Sequence, residues 1–269
     1  MSTARPPLRL VRHLARTGGT LIGKCLGCMD SVLLLSETHP LAMDKWTNLL
    51  GQADQWHALT SKPEIAAWKK QKIGYAQALA LLSERAEARS KHLVVREWTH
   101  LDLLGEPFVQ PTMIPEATRA VENTFDLRVV DTVRHPLDHW MSIHKVQTLA
   151  RVTLERHLAS CAAFAQETAR VGTLGLPHAV IRYEDFCQGP EPTLRAMCET
   201  LNLPYDTAWE TRWATFDKIT GDTDTSRGNA DPTIKPLTRR PIDEGVRETC
   251  LASADYRAAC AEWGYPPED

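Results

Sequence analysis

Residues 8–27 read Leu8-Arg9-Leu10-Val11-Arg12-His13-Leu14-Ala15-Arg16-Thr17-Gly18-Gly19-Thr20-Leu21-Ile22-Gly23-Lys24-Cys25-Leu26-Gly27. A β-prone run gives way to a tight Gly-Gly loop, and the loop to a helical pattern. At such a strand-to-helix turn the first helical N–H groups have no partner, and the helix dipole adds partial positive charge, so the turn is a cradle for phosphate or sulfate. Gly18 and Gly19 let the backbone approach an anion closely. Arg16 supplies a charge on one flank, and Thr17 and Thr20 supply hydroxyls.

Outward from this stretch, short β-rich runs recur at Ser31–Ser36, His92–Arg96, Leu127–Arg134 and His178–Arg182, with helical patterns between them. Strands alternating with helices predict a parallel sheet covered on both faces. Within Glu64–Ala88 the positions Ile65, Trp68, Ala76, Leu79 and Leu82 fall near helical spacing, which predicts a core-facing helix. The segment Asp217–Pro241 lacks periodicity and is rich in Thr, Asp, Gly, Arg and Pro, so it reads as a long binding loop. No repeat or linker divides the chain, and a single domain over residues 1–269 is expected.

The chain has 269 residues, 43% hydrophobic and 24% charged, with a net charge of −3. That balance gives no general attraction to nucleic acid or an anionic membrane, so local basic clusters point to local anions. No apolar stretch approaches the roughly 20 residues of a membrane span, and the first residues lack the apolar core of a signal peptide. A cytoplasmic protein is expected. Seven cysteines, an odd number in a chain of this size, read as free thiols. Cys25 and Cys28 form a C-x-x-C within the expected helix, without a second pair at zinc spacing.

The glycine loop admits two registers. From Gly18 to Lys24 it fits G-x-x-x-x-G-K, the phosphate loop of nucleoside triphosphatases, with Asp131 as a candidate magnesium carboxylate. That motif needs Ser or Thr after the lysine, and here Cys25, a poor magnesium ligand, follows it. Asp131 also lies inside its strand rather than at the tip. In the earlier register Arg16-Thr17-Gly18-Gly19-Thr20-Leu21 resembles the 5′-phosphosulfate loop of the sulfotransferase superfamily. Arginine stands where cytosolic members carry lysine, and Gly19 where they carry threonine.

Two further segments carry the same resemblance, and a third matches it loosely. Val133-Arg134-His135-Pro136-Leu137-Asp138-His139-Trp140-Met141-Ser142 is similar to the family's 3′-phosphate motif, in which a strand ends in Arg and a Ser follows eight residues later. Pro136 suits a first helical turn and Asp138 complements its dipole. Tyr183-Glu184-Asp185 at a strand end is similar to the family feature whose tyrosine contacts adenine. Ser226-Arg227-Gly228, with Lys235, Arg239 and Arg240 behind it, matches the basic loop that closes over the 3′-phosphate. The near-turn spacing of His135, His139 and His144 would suit a metal helix, but it lacks a clear further partner.

The resemblance implies a P-loop-like three-layer α/β fold, a central parallel sheet flanked by helices. It implies 3′-phosphoadenosine 5′-phosphosulfate (PAPS) as donor, adenosine 3′,5′-bisphosphate as product and no metal. Donor-binding residues would be Arg16, Thr17, Gly18, Gly19, Thr20, Leu21, Arg134, Ser142, Tyr183, Arg227 and Gly228, with Arg16 also serving the chemistry. Glu37 sits where a protein-modifying branch has its catalytic glutamate, after the second strand. His100 lies in a Thr-His-Leu where cytosolic members place a histidine. Glu37 is the first choice as general base, with His100 and His39 as alternates. A small-molecule or carbohydrate acceptor is expected, with Trp46, Trp56 and Trp68 offering apolar surface. A magnesium-dependent kinase and a non-catalytic nucleotide-binding relative are the competing readings.

Overall fold

The computed structural model describes residues 5–43, 48–105, 109–221 and 233–267. In chain order its elements are β1 (Pro7–His13), α1 (Gly19–Gly27), β2 (Val32–Thr38), α2 (Leu49–Gln55), α3 (Lys62–Gln71), α4 (Tyr75–Glu87) and β3 (His92–Glu97). There follow α5 (Thr99–Leu104), α6 (Glu116–Val121), β4 (Asp126–Val133), α7 (Pro136–Ile143), α8 (Leu154–Thr173), β5 (His178–Arg182) and α9 (Tyr183–Gln188). The chain closes with α10 (Pro190–Leu201), α11 (Trp209–Arg212), α12 (Glu244–Ala252) and α13 (Ala254–Trp263).

The strands form one five-stranded sheet in the order β2-β3-β1-β4-β5, every pair parallel. Near-continuous burial along β1 and β3 is what a sheet covered on both faces requires. Val11, Leu34, Val94 and Val130 turn to one face, where they meet Leu21, Ile22 and Leu26 of α1 and Leu194, Met197 and Leu201 of α10. Leu8, Leu10, Leu35, Val95 and Val129 turn to the other, against Leu79 and Leu82 of α4 and Val121 of α6. A third cluster joins Leu137 of α7, Leu158 and Phe164 of α8, and Tyr256 and Trp263 of α13. This is the three-layer α/β architecture expected.

β1 occupies the centre, and the chain leaves it toward β2 on one side but reaches β4 and β5 on the other. The crevice outside the carboxyl ends of β1 and β4 is therefore the switch point where open α/β sheets bind ligands. Both the glycine loop and the Arg134 segment emerge there.

Two expectations need correction. The stretch Glu64–Ala88 is two helices, α3 and α4, because Lys72 takes a left-handed C-cap with φ 55° and Gly74 stands as the N-cap of the second. Helical spacing on both sides had hidden the break. Cys28 is the C-cap of α1 rather than part of it, and all seven cysteines are free thiols.

Candidate functional site

The loop between β1 and α1 is held from below. Thr17 Oγ1 lies 2.7 Å from the Leu14 carbonyl and 3.2 Å from that of Thr132, so its hydroxyl serves the loop rather than the cradle. Gly18 is the N-cap of α1 in the left-handed region, with φ 89°, and a Cβ there would collide with the Tyr183 ring. Only glycine meets both demands. A Cβ on Gly19 would lie 2.6 Å from the His13 ring. The Gly18 carbonyl accepts the first bond of α1, from Ile22 N–H, at 3.0 Å. The N–H groups of Gly19, Thr20 and Leu21 thus precede the helix's own ladder and face the cradle.

Arg16, one residue before Thr17, also has a positive φ, 72°, a backbone state that costs an L-residue about 1 kcal/mol or more and that gathers at functional sites. Its Nε donates to Ser142 Oγ of α7 at 3.3 Å, which ties the first motif to the second. Arg134, just past β4, donates to the Arg16 carbonyl at 3.4 Å and stacks over the Tyr183 ring, 5.0 Å from its centroid. Burial and the neighbouring Arg134 and Arg240 guanidiniums hold Arg16 below its usual value, against the opposing influence of Tyr183. The nearby carboxylates are engaged elsewhere. Asp138 pairs with Arg239 at 2.9 Å, and Glu184 accepts from His135 N–H and the Tyr265 hydroxyl. Among the described residues, three arginines therefore share one region with an excess of positive charge. A depression of about 150 Å³ beside them is lined by Arg134, Tyr183, Gln188, Leu237 and Arg240.

Beyond the loop, on the β2–β3 side, the charges are matched. Arg96 of β3 is fully buried and reaches four partners. It donates to His13 Nε2 at 3.0 Å, to Ser36 Oγ at 3.1 Å and to the Thr220 carbonyl at 3.3 Å, and it pairs with Glu37 Oε1 at 2.8 Å. Glu37 falls at a bulge in β2, between Ser36 and Thr38, and takes φ 50°. The bulge re-aims the carboxylate toward the loop: Glu37 Oε1 and Thr20 Oγ1 lie 3.2 and 3.3 Å from where a Gly221 Cβ would stand. Burial opposes ionisation of Glu37, but Arg96 outweighs it, aided by His100, His13 and Thr220, and holds the carboxyl at about 2.

The neighbouring histidines are neutral. Burial, then Arg96, pushes His13 down to about 3, and burial pushes His100 to about 4 against the pull of Glu37. His100 Nε2 accepts from Trp98 Nε1–H at 2.5 Å, which puts the ring proton on Nδ1, an atom buried without a hydrogen-bond partner among the described residues. His39 is engaged on both sides: Nδ1 accepts from Leu41 N–H at 3.1 Å and Nε2 faces Asp102 Oδ1 at 2.8 Å.

Residues 13–207 match the family described as "Sulfotransferase family". The chain belongs to that family. Its fold is similar to the sulfotransferase domain of the Synechococcus PCC 7002 olefin synthase, with 16% identity, TM-score 0.71 and coverage of 99% of this chain and 98% of that one. It is also similar to the sulfotransferase domain of the curacin biosynthetic pathway, with 17% identity, TM-score 0.62 and coverage of 99% and 100%. A sulfotransferase from Alicyclobacillus acidocaldarius follows, with 15% identity, TM-score 0.51 and 98% of each chain. No curated protein matches.

In this sulfotransferase-family chain the glycine loop, Arg134, Ser142 and Tyr183 come together around one crevice, while Glu37 pairs with Arg96 and His100 bonds to Trp98. His39 is held apart from the loop by its bond to Asp102. Arg227 and Gly228 lie outside the described residues, as does Trp46; Trp68 is buried, stacked 5.3 Å from Arg85. Asp131 lies on the α8 side of the sheet, bonded to Arg12, Thr168 and His178, with no carboxylate oxygen free for magnesium. Sequence reading missed Arg96 and Thr220. Arg96 stands in an apolar strand, where an arginine is itself a signal, but its partners come from four separate segments. Nor did the sequence mark Arg240 apart from Arg239, which their different contacts distinguish.

Proposed function

We propose that the chain transfers a sulfuryl group from PAPS to an acceptor hydroxyl or amine, with the nucleotide in the crevice outside β1 and β4. The observation that carries this reading is the surplus of three arginines, Arg16, Arg134 and Arg240, around a glycine cradle whose nearby acids are already paired. A nucleotide phosphorylated at both ends of its ribose supplies the missing negative charge. When bound, PAPS supplies an activated sulfuryl group. Arg16 and the N–H groups of Gly19, Thr20 and Leu21 would hold the 5′ end, and their fixed dipoles favour charge that grows on the leaving phosphate. Arg134 and Ser142 would hold the 3′-phosphate, the group that separates this donor from ATP. Fixed cations do here what magnesium does in a kinase, so Cys25 is no obstacle.

Glu37 is the proposed general base. It is ionised at neutral pH, and its carboxylate lies beside Thr20 and Gly221 at the rim of the cradle. A carboxylate held at about 2 is a weak base toward a free hydroxyl. As the new S–O bond forms, however, the acceptor oxygen becomes strongly acidic, so such a base still removes the proton late in the step. His100, with Nε2 occupied by Trp98, would act as a donor through Nδ1. The test is calorimetry with adenosine 3′,5′-bisphosphate, AMP and ATP, with and without magnesium, followed by transfer assays with labelled PAPS across acceptor classes. The bisphosphate should bind tightest and without magnesium. Equal affinity for AMP, or a magnesium-dependent preference for ATP, would sink the reading.

A further inference from the structure

Behind the glycine loop, α7 and α8 bring three metal-ligating side chains together. His157 and Cys161 stand one turn apart on α8 and His139 faces them from α7, all fully buried, with their ligand atoms within 4.8 Å of one another. Cys161 Sγ lies 3.8 Å from His139 Nδ1 and 3.9 Å from His157 Nδ1.

The tautomers are fixed by the main chain. His139 Nε2 is 2.6 Å from the Ala15 carbonyl and His157 Nε2 is 3.0 Å from the Pro136 carbonyl. A carbonyl only accepts, so both rings carry their proton on Nε2 and present a lone pair at Nδ1. The thiol of Cys161 has one proton and can satisfy one of the two nitrogens. The other is a buried acceptor without a donor, an arrangement folded proteins avoid. A cation satisfies all three atoms at once. The Ala15 carbonyl, which takes the second N–H of His139, is also the usual kind of outer-shell partner of a histidine metal ligand.

We propose that His139, His157 and Cys161 form a buried three-coordinate site for a soft, thiophilic cation, with Cu(I) the best match. Binding forms one S–Cu and two N–Cu bonds, releases the Cys161 thiol proton to solvent and changes no oxidation state. Thiolate, Cu(I) and two neutral imidazoles sum to zero charge, which a fully buried site favours. Zn(II) would leave a net positive charge there and seeks a fourth ligand, whereas the cluster among the described residues has three members. Sγ is nearly equidistant from the two ring nitrogens of His157, 3.9 Å from Nδ1 and 3.8 Å from Nε2, so closing the cluster to metal–ligand lengths turns that ring and exchanges its bond to the Pro136 carbonyl for the metal. Since His139 holds the carbonyl of Ala15, immediately before Arg16, the site buttresses the donor loop.

The experiment compares the full chain with Cys161→Ser and Cys28→Ser, each expressed in copper-supplemented medium. Metal content is measured by mass spectrometry, and Cu(I) affinity by competition with a chromophoric chelator. Wild type and Cys28→Ser should each retain about one copper per chain, and Cys161→Ser should bind Cu(I) at least tenfold more weakly, because a hydroxyl is a poor ligand for a soft cation. The thermal midpoint should rise with Cu(I) in wild type and stay fixed in Cys161→Ser. If Cys161→Ser does not fold, His157→Gln replaces it. Wild-type protein that holds neither copper nor zinc, or a folded Cys161→Ser or His157→Gln protein that binds Cu(I) as wild type does, would overturn the site.

Discussion

The two sides of the crevice differ in how their charges are balanced. On the β1–β4 side, Arg16, Arg134 and Arg240 crowd together while the nearby carboxylates of Asp138 and Glu184 are bonded to other groups. On the β2–β3 side, one buried arginine, Arg96, is matched by Glu37 and fixed by His13, Ser36 and Thr220. Among the described residues the first side keeps a surplus of positive charge, whereas on the second Arg96 is matched by Glu37. A binding surface keeps the charge its ligand will neutralise, whereas a reactive carboxylate must be held in position before the ligand arrives. Backbone strain falls on both sides, at Arg16 and at Glu37, which are the residues proposed to touch the reacting atoms.

The largest expected effect breaks the second side. Glu37→Gln keeps the shape and removes the proton acceptor, so turnover should fall about 10²- to 10⁴-fold. Affinity for adenosine 3′,5′-bisphosphate should change little, because the β1–β4 arginines are untouched. The substitution also leaves Arg96 without its carboxylate, so a denaturation midpoint must accompany the kinetics. Full turnover in a folded Glu37→Gln protein would remove Glu37 as the base.

Next in size, Arg134→Ala should weaken adenosine 3′,5′-bisphosphate by roughly 1.5–3 kcal/mol, the worth of a hydrogen bond to a charged group, or about tenfold to a hundredfold. AMP, without a 3′-phosphate, should bind almost as before. Calorimetry in which both ligands weaken equally would mean that Arg134 acts through the loop, by its bond to the Arg16 carbonyl and its stack on Tyr183, rather than on the ligand.

These two sides were not equally legible in the sequence. The β1–β4 side is built from local chain: the loop, Arg134 and Ser142 each lie at a strand end or on the helix that follows, so short motifs carried the family resemblance that implies their meeting. The β2–β3 side depends on contacts between residues far apart in the chain, such as Arg96 with Thr220 and with His13, and on a bulge that no pattern announced. For the same reason all five strands were readable from their apolar runs, while the break at Lys72 was not. Helical periodicity reports which face is buried and is silent about a single left-handed residue between two helices.

A smaller effect concerns pH. His13 and His100 have native values depressed by burial to about 3 and about 4, below the ordinary 6.5. The unfolded chain therefore binds more protons between about pH 6.5 and 4, and stability falls as pH falls through that window. Each histidine contributes up to about 1.4 kcal/mol per pH unit. Glu97 works the other way. Burial lifts it to about 8, against Arg12 and Thr118, so it favours the folded state less as pH rises above its unfolded value. His135 and His157 are likewise depressed to about 4, so the buried histidines outweigh the one acid: the denaturant midpoint should be lower at pH 5 than at pH 6.5, and His100→Asn should reduce the slope. An unchanged midpoint across that interval would mean that these rings are accessible to protons in the folded state.

The smallest expected effect separates the two candidate bases. Trp98→Phe keeps the aromatic body, removes the N–H that occupies His100 Nε2, and deletes one hydrogen bond worth about 1 kcal/mol. If Glu37 is the base and His100 only a donor, the released ring is free to adopt either tautomer at little cost, and turnover should change less than about fivefold, the equivalent of that bond. If His100 is the base, the indole N–H has been competing for its lone pair, and releasing it should raise turnover and move the acidic limb of the pH–rate profile toward higher pH. A rise in turnover with a displaced limb would transfer the proton to His100. It would also make the Arg96–Glu37 pair a positioning device for the loop, which Glu37→Gln would then reveal as a change in KM rather than in kcat.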